Sequence, residues 1–112
     1  MIKVFYLDDE LDLLEIFSET FSSDSVIITT FADPESFIAE CSIGNPDLLI
    51  IDYRLPGTRG DIVAQKIYTS IPKCLITGDI QVATAFPFHK ILHKPFNFEE
   101  INSTLLEFSI KK

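Results

Sequence analysis

Five polar side chains stand at or just after the ends of short apolar runs: Asp8, Asp9, Asp52, Thr77 and Lys94. If these runs are strands of one parallel sheet, their carboxyl ends lie along the same edge, where such sheets bind ligands. Side chains far apart in sequence would then meet in one small site. Three carboxylates, a hydroxyl and an ammonium together suit a divalent metal ion and a phosphoryl group.

The elements that must position these residues alternate between strand and helix. Strands are expected at 2–7, 25–31, 48–51, 74–76 and 91–92. The run at 48–51 is apolar at every position, which is typical of a parallel strand covered on both faces. Helices are expected over 10–22, from the capping residue Asp33 to Gly44, over 60–70 before Pro72, and after Asn97.

Two helix assignments depend on particular spacings. Leu14, Phe17 and Phe21 recur at i, i+3 and i+7, which places one apolar stripe on the first helix. Asn97 is followed three residues later by Glu100, the pattern of a capping box at the start of the last helix.

This alternation predicts an α/β fold with a doubly wound sheet of five parallel strands and helices on both faces. Residues 78–90 are the exception, because only about two helical turns fit before Pro87. We therefore expect the fourth helix to be shortened or irregular.

Composition and charge exclude several classes of function. The 112 residues are enough for one domain, 1–112, and 46% hydrophobic content is enough for a packed core. A net charge of −8 argues against binding nucleic acid or an anionic membrane surface. With no signal peptide or membrane-spanning run, and with Cys41 and Cys74 expected as buried reduced thiols, a cytoplasmic location is expected.

The same residues resemble the receiver domains of two-component response regulators. The family's motifs correspond to YLDDE at 6–10, LIIDYRLPG at 49–57 with Gly60, ITG at 76–78 and HKPF at 93–96. The resemblance covers the whole chain and implies a flavodoxin-like receiver fold. It further implies that Asp52 is the phosphoacceptor, Thr77 the switch hydroxyl and Lys94 the cation that binds the phosphoryl group.

The resemblance also implies Mg²⁺ as the cofactor, with Asp8 and Asp9 as its ligands. Mg²⁺ prefers an octahedron of oxygen atoms that includes one or two carboxylates and water. Asp9, Asp52 and the backbone carbonyl of Arg54 could provide such ligands, and Asp8 could act directly or through water.

One position departs from the family pattern. Receivers usually carry an aromatic residue three positions before the lysine, and its ring turns inward on activation. Ile91 occupies that position here. We therefore expect signal output not to use the usual ring rotation.

Three functions from different classes are consistent with these residues. The favoured one is a stand-alone switch, not an enzyme, phosphorylated by a histidine kinase or a phosphotransfer protein and signalling to an output partner protein that the sequence does not identify. The alternative is a pseudo-receiver, a protein interaction module that does not cycle phosphate. The third is a phosphatase of the haloacid dehalogenase type, which has a second acid two residues after its nucleophile, where Arg54 stands.

Arg54 and Asp79 lie two residues after Asp52 and Thr77, respectively. Arg54 could bind a phosphoryl oxygen, pair with Asp79 across the mouth of the site, or point into solvent together with Asp79. His89 and His93 are expected to be solvated loop residues without a functional role.

Overall fold

The computed structural model describes residues 1–111, with side chains as far as Ser109, and its strands form one sheet and one hairpin. In chain order they are β1 (Ile2–Leu7), β2 (Val26–Phe31), β3 (Leu48–Asp52), β4 (Arg54–Leu55), β5 (Thr58–Arg59), β6 (Lys73–Thr77) and β7 (Lys90–His93). The sheet has the order β2-β1-β3-β6-β7, and each neighbouring pair is parallel. The predicted five-stranded parallel sheet is confirmed.

Four helices cover the sheet: α1 (Leu11–Phe21), α2 (Pro34–Cys41), α3 (Gly60–Gln65) and α4 (Phe98–Lys111). Two predicted caps are present, because Asp33 accepts a hydrogen bond from the Ser36 N–H and Asn97 accepts one from the Glu100 N–H, each at 3.0 Å. Helix α2 ends three residues before Gly44, whose N–H instead donates to the carbonyl of Glu40.

The third helix is shorter than the predicted 60–70. It ends at Gln65, and the N–H groups of Lys66 and Ile67 donate to carbonyls three residues back, which tightens the last turn. The β-branched and hydroxyl residues that follow favour helix weakly, and Pro72 restricts its preceding residue to extended conformations. Ile67 is nevertheless buried, so the apolar position was identified correctly although its helix was not.

The segment between β6 and β7, residues 78–89, contains no helical turn. Phe86 and Phe88 pack against the core on the α2 and α3 side of the sheet. The hydroxyl of Thr84 binds the buried carboxylate of Asp61 at the start of α3. An extended loop with two aromatic anchors therefore takes the place of the fourth helix.

The two faces of the sheet carry separate hydrophobic cores. Tyr6, Phe17 and Ile101 belong to the core beneath α1 and α4. Leu7 and Phe37 belong to the core beneath α2 and α3. Because every residue of β3 is buried, the central strand contributes to both cores, as its sequence predicted.

His89 is an exposed loop residue, as expected, whereas His93 is exposed but ends β7, and both pair with glutamates of α4. Nε2 of His89 lies 2.7 Å from Glu107, and Nδ1 of His93 lies 3.1 Å from Glu100. These contacts join the last helix to the start and to the end of the edge strand β7.

Two further sequence expectations can be compared with the structure. Cys41 and Cys74 are buried free thiols, and burial raises the pKa of each to about 12. Within residues 1–111, no helix has the length and apolar character needed to cross a membrane.

Candidate functional site

The strand order brings four of the predicted site residues to one edge of the sheet. Asp8 follows β1, Asp52 ends β3, Thr77 ends β6 and Lys94 follows β7, and these four strands are consecutive neighbours. Asp8, Asp52 and Thr77 are all buried. The sequence therefore predicted correctly that these residues converge.

The ammonium of Lys94 joins the two buried carboxylates. Its Nζ lies 2.8 Å from Oδ2 of Asp8 and 3.1 Å from Oδ1 of Asp52, with Glu10 more distant at 3.7 Å. Only 15% of the Lys94 side chain is exposed, so little water screens these contacts. One positive charge thus faces two buried negative charges.

That imbalance appears in the protonation of Asp52. Burial raises the pKa of Asp52 to about 7, the negative charge of Asp8 acts in the same direction, and Lys94 opposes both. Burial alone would lower the pKa of Lys94, but its hydrogen bonds and charge interactions with Asp8 and Asp52 outweigh burial and raise it. The ammonium therefore stays charged, and the site has a deficit of positive charge.

Three carboxylates lie close enough to share a cation. One oxygen from each of Asp8, Asp9 and Asp52 lies within 4.8 Å of the other two, and Asp9 is the exposed member. Ligand oxygens of an octahedral Mg²⁺ are about 3.0 Å apart when adjacent and about 4.2 Å apart when opposite, as follows from bonds of about 2.1 Å. The three carboxylates are oxygen donors of the kind that Mg²⁺ prefers. Participation of the Arg54 backbone carbonyl stays a prediction.

Tyr6 supports the site and was not identified from the sequence. Its hydroxyl donates to Oδ2 of Asp8 at 2.5 Å, while Oδ1 of Asp8 accepts the N–H of Glu10 at 3.0 Å. Burial, followed by the charge of Asp8, raises the pKa of Tyr6 far above its ordinary value, so the phenol is a permanent donor. The sequence signal that could have identified Tyr6 is its spacing of two positions from Asp8. Residues i and i+2 of a strand share a face, and a buried tyrosine hydroxyl needs a hydrogen-bond partner.

Thr77 and Gly60 shape the walls of the site. Oγ1 of Thr77 accepts a hydrogen bond of 3.0 Å from the N–H of Asp79, which orders the start of the 78–89 loop. A Cβ atom at Gly60 would lie 2.4 Å from the backbone oxygen of Asp52, so only glycine permits α3 to begin this close to the strand.

Asp52, Thr77 and Lys94 border an open cavity of about 320 Å³. Arg54 and Asp79 lie at its mouth, where Nε of Arg54 is 3.0 and 3.2 Å from the two oxygens of Asp79. Of the three arrangements expected for Arg54, the structure has the pair with Asp79. The cavity provides room for a phosphoryl group beside Asp52.

Comparison with known proteins gives one family match. The family model described as "Response regulator receiver domain" matches residues 4–106. A search of curated proteins found no match.

Solved structures with the same fold include three receivers. The chemotaxis response regulator CheY4 of Vibrio cholerae is 24% identical, with a TM-score of 0.82 over 96% of this chain and 98% of that chain. TrrA of Thermotoga maritima, solved with Mg²⁺ and BeF, is 24% identical, with a TM-score of 0.86 over 96% and 99%. The signal receiver domain of an HD domain-containing protein of Pseudomonas fluorescens is 20% identical, with a TM-score of 0.86 over 99% and 98%.

Proposed function

Because the chain belongs to the response regulator receiver domain family, we propose that residues 1–112 form one phosphoryl-accepting switch with Asp52 as the acceptor. Receiver domains are generally signalling modules rather than catalysts. The observation that carries the proposal is the contact of the Lys94 ammonium with both Asp8 and Asp52 at 2.8 and 3.1 Å. It supports a site built to receive additional negative charge beside Asp52.

The proposed donor is a phosphohistidine on a histidine kinase or a phosphotransfer protein. An Oδ atom of Asp52 attacks phosphorus, the bond between phosphorus and the imidazole nitrogen breaks, and its electron pair returns to the imidazole. The attacking carboxylate must be ionised, and the ammonium of Lys94 lowers the repulsion between it and the incoming phosphoryl oxygens. The net charge of −8 supports protein partners rather than nucleic acid.

Mg²⁺ bound by Asp8, Asp9 and Asp52 would supply the positive charge that the site lacks. Within this arrangement Asp8 is oriented from two sides, by the Tyr6 hydroxyl and by the Glu10 N–H. The exposed position of Asp9 supports entry of the ion from solvent. The backbone carbonyl of Arg54 is proposed as a further ligand.

Once Asp52 carries the phosphoryl group, the phosphoryl oxygens need hydrogen-bond donors. The ammonium of Lys94 can turn from the carboxylates to a phosphoryl oxygen, and the Thr77 hydroxyl can donate to another. Because Oγ1 of Thr77 holds the N–H of Asp79, a movement of this hydroxyl would be transmitted to the 78–89 loop. We propose this loop as the first element that responds to phosphorylation.

Incubation with acetyl phosphate and Mg²⁺, followed by intact mass measurement, tests the proposal. One phosphoryl group should be added only when the divalent ion is present, and alkali should remove it because an acyl phosphate is labile to base. Asp52→Asn should abolish the addition, whereas Asp12→Asn on the exposed face of α1 should not. An unchanged mass increase in Asp52→Asn would contradict the assignment.

The pseudo-receiver is the second candidate, and the loop at 78–89 is the observation that favours it. Receivers that cycle phosphate use the fourth helix and an aromatic residue in the last strand, whereas this chain has no helical turn at 78–89 and has Ile91 half exposed on β7. A folded protein that gains no mass from acetyl phosphate with Mg²⁺ would favour this function over the switch.

A further inference from the structure

Lys73 is a buried cation that no carboxylate neutralises within the described residues. It begins β6 and is 8% exposed. Its Nζ donates to the backbone carbonyls of Thr69 and Ile71, each at 2.9 Å, and to no other described group. An ammonium carries three N–H donors, so one of them is left over.

The surroundings of Lys73 do not compensate its charge. Burial lowers the pKa of Lys73, and the nearby Cys41 thiol opposes that effect only in part. Buried lysines in proteins are nearly always paired with an anion, because an isolated charge away from water is costly. The environment of Lys73 therefore favours the approach of an anion from outside the chain.

A cavity of about 400 Å³ is lined in part by Lys73. Ile71, Pro72, Phe86 and Pro87 form apolar walls, and the polar residues of the lining are Ser70, Lys73 and His89. Lys73 begins β6 whereas Thr77 ends it, so the cavity lies at the opposite edge of the sheet from the acidic site. It is a separate place on the molecule.

The 78–89 loop provides one side of this cavity. The 78–89 loop crosses back to the start of β7 and brings Phe86 and Pro87 opposite Ile71 and Pro72. Phe86 is fixed on its other side, because it packs against the α2 and α3 core and contacts Phe88 in a tilted arrangement with 4.7 Å between ring centroids. The walls are thus held in position without any ligand.

We propose that this cavity binds a small organic carboxylate with an apolar body. The free N–H of Lys73 and the hydroxyl of Ser70 can donate to the two carboxylate oxygens, while the body lies between Phe86, Pro87 and Pro72. The volume lies within the range of small-molecule sites. An inorganic oxyanion fits less well, because most of its oxygens would face apolar walls and lose hydration.

Benzoate is a suitable probe, titrated into ¹⁵N-labelled protein without Mg²⁺ or a phosphoryl donor. Saturable amide shifts should be confined to 70–73 and 86–89. Lys73→Met should weaken binding about tenfold or more, because a hydrogen bond from a charged donor is lost. Lys66→Met, at an exposed lysine after α3, is the matched control and should bind benzoate as the wild type does.

Neutral and inorganic probes complete the test on the wild-type protein. Benzyl alcohol has a similar ring but no charge, so it should bind about tenfold or more weakly by the same reasoning. Shifts elsewhere in the protein, equal affinity for benzyl alcohol, or binding of inorganic phosphate as tight as that of benzoate would overturn the proposal. Because these comparisons use the wild-type protein, they test the carboxylate site even if Lys73→Met fails to fold.

Discussion

Arg54 pairs with Asp79 at the mouth of the cavity beside Asp52, although 25 positions separate the two residues. Nε of the guanidinium lies 3.0 and 3.2 Å from the two carboxylate oxygens. Arg54 is mostly exposed, so the pair is screened by water and contributes little to stability. Its position at the cavity mouth indicates an effect on the access of water instead.

The pair should prolong the life of an aspartyl phosphate on Asp52. Hydrolysis needs a water molecule in line with the bond between phosphorus and Asp52, and the Arg54 side chain restricts that approach from the cavity mouth. We expect the phosphorylated protein to decay faster in both Arg54→Ala and Asp79→Ala. Decay is followed by intact mass after removal of the phosphoryl donor.

Lys66→Ala serves as the control for loss of a surface cation without loss of the pair. If all four proteins decay at the same rate, Arg54 and Asp79 do not govern the lifetime. Faster decay in Arg54→Ala alone would show that the guanidinium acts without Asp79, for example by contacting a phosphoryl oxygen itself.

Binding of Mg²⁺ should stabilise the folded protein, because the unfolded chain does not hold Asp8, Asp9 and Asp52 together. With millimolar affinity, a concentration of about 10 mM should add on the order of 1 kcal/mol to the free energy of unfolding. Asp9→Ala should raise the stability of the metal-free protein by relieving repulsion and should reduce the response to Mg²⁺. Equal Mg²⁺ responses of the wild type and Asp9→Ala in thermal unfolding would mean that Asp9 is not a ligand.

How much of the site could be predicted depends on what determines each position. Asp8, Asp52, Thr77 and Lys94 follow apolar runs, and the ends of parallel strands meet at one edge whatever the helices do. Their convergence was therefore predictable from local pattern. The same reasoning does not identify Tyr6, because its role depends on a hydroxyl inside the core that looks apolar in sequence.

The loop at 78–89 shows where local pattern stops being informative. The segment was expected to hold a short or irregular helix, yet within the described residues it holds none. Its conformation depends on the packing of Phe86 and Phe88 against the core beneath α3 and on the hydrogen bond between Thr84 and Asp61. Contacts between residues distant in sequence outweigh weak helix propensity.

Stability without metal should fall as pH rises, because Asp52 is easier to bury when protonated. Burial raises its pKa to about 7 from the ordinary value of 3.8. When the pKa of a group is higher in the folded protein than in the unfolded chain, its protonated form stabilises the fold. This stability is fully present at a pH below the pKa of the unfolded chain, and it is lost as the pH rises through the pKa of the folded protein. Asp52→Asn, which is neutral at every pH, should lack this loss.

The measurement is thermal unfolding in a metal chelator at about pH 5 and about pH 8, where the wild type should lose on the order of 2–3 kcal/mol relative to Asp52→Asn. Asp12→Asn, at an exposed acid of α1, controls for removal of a carboxylate and should differ from the wild type equally at both pH values. If the free energies of unfolding of the wild type and Asp52→Asn differed by the same amount at both pH values, the raised pKa of Asp52 would be contradicted.

Tyr6→Phe should destabilise the protein although it removes a single oxygen. The ring would keep its contact with Phe17, whose centroid is 4.5 Å away, but Asp8 would lose a buried donor. A buried charged group that loses one hydrogen bond costs about 1–3 kcal/mol. Denaturant unfolding measures this cost, and Tyr53→Phe is a control because Tyr53 is only partly buried and lies outside both cores.

The last helix should respond little to a phosphate mimic, in contrast to the loop at 78–89. Ile91 replaces the usual aromatic side chain and lies on β7, the edge strand of the sheet, so no ring is available to turn inward. Beryllofluoride with Mg²⁺ should slow amide hydrogen exchange after Asp52 and Thr77, since Thr77 already holds the N–H of Asp79. It should leave 97–110 nearly unchanged.

Comparison with Asp52→Asn separates binding of the mimic at the acceptor from general effects of fluoride and Mg²⁺. The contacts of His93 with Glu100 and of His89 with Glu107 hold α4 against β7, and neither contact includes a residue of the acidic site. Strong protection along 97–110 in the wild type alone would show that the α4 face switches after all.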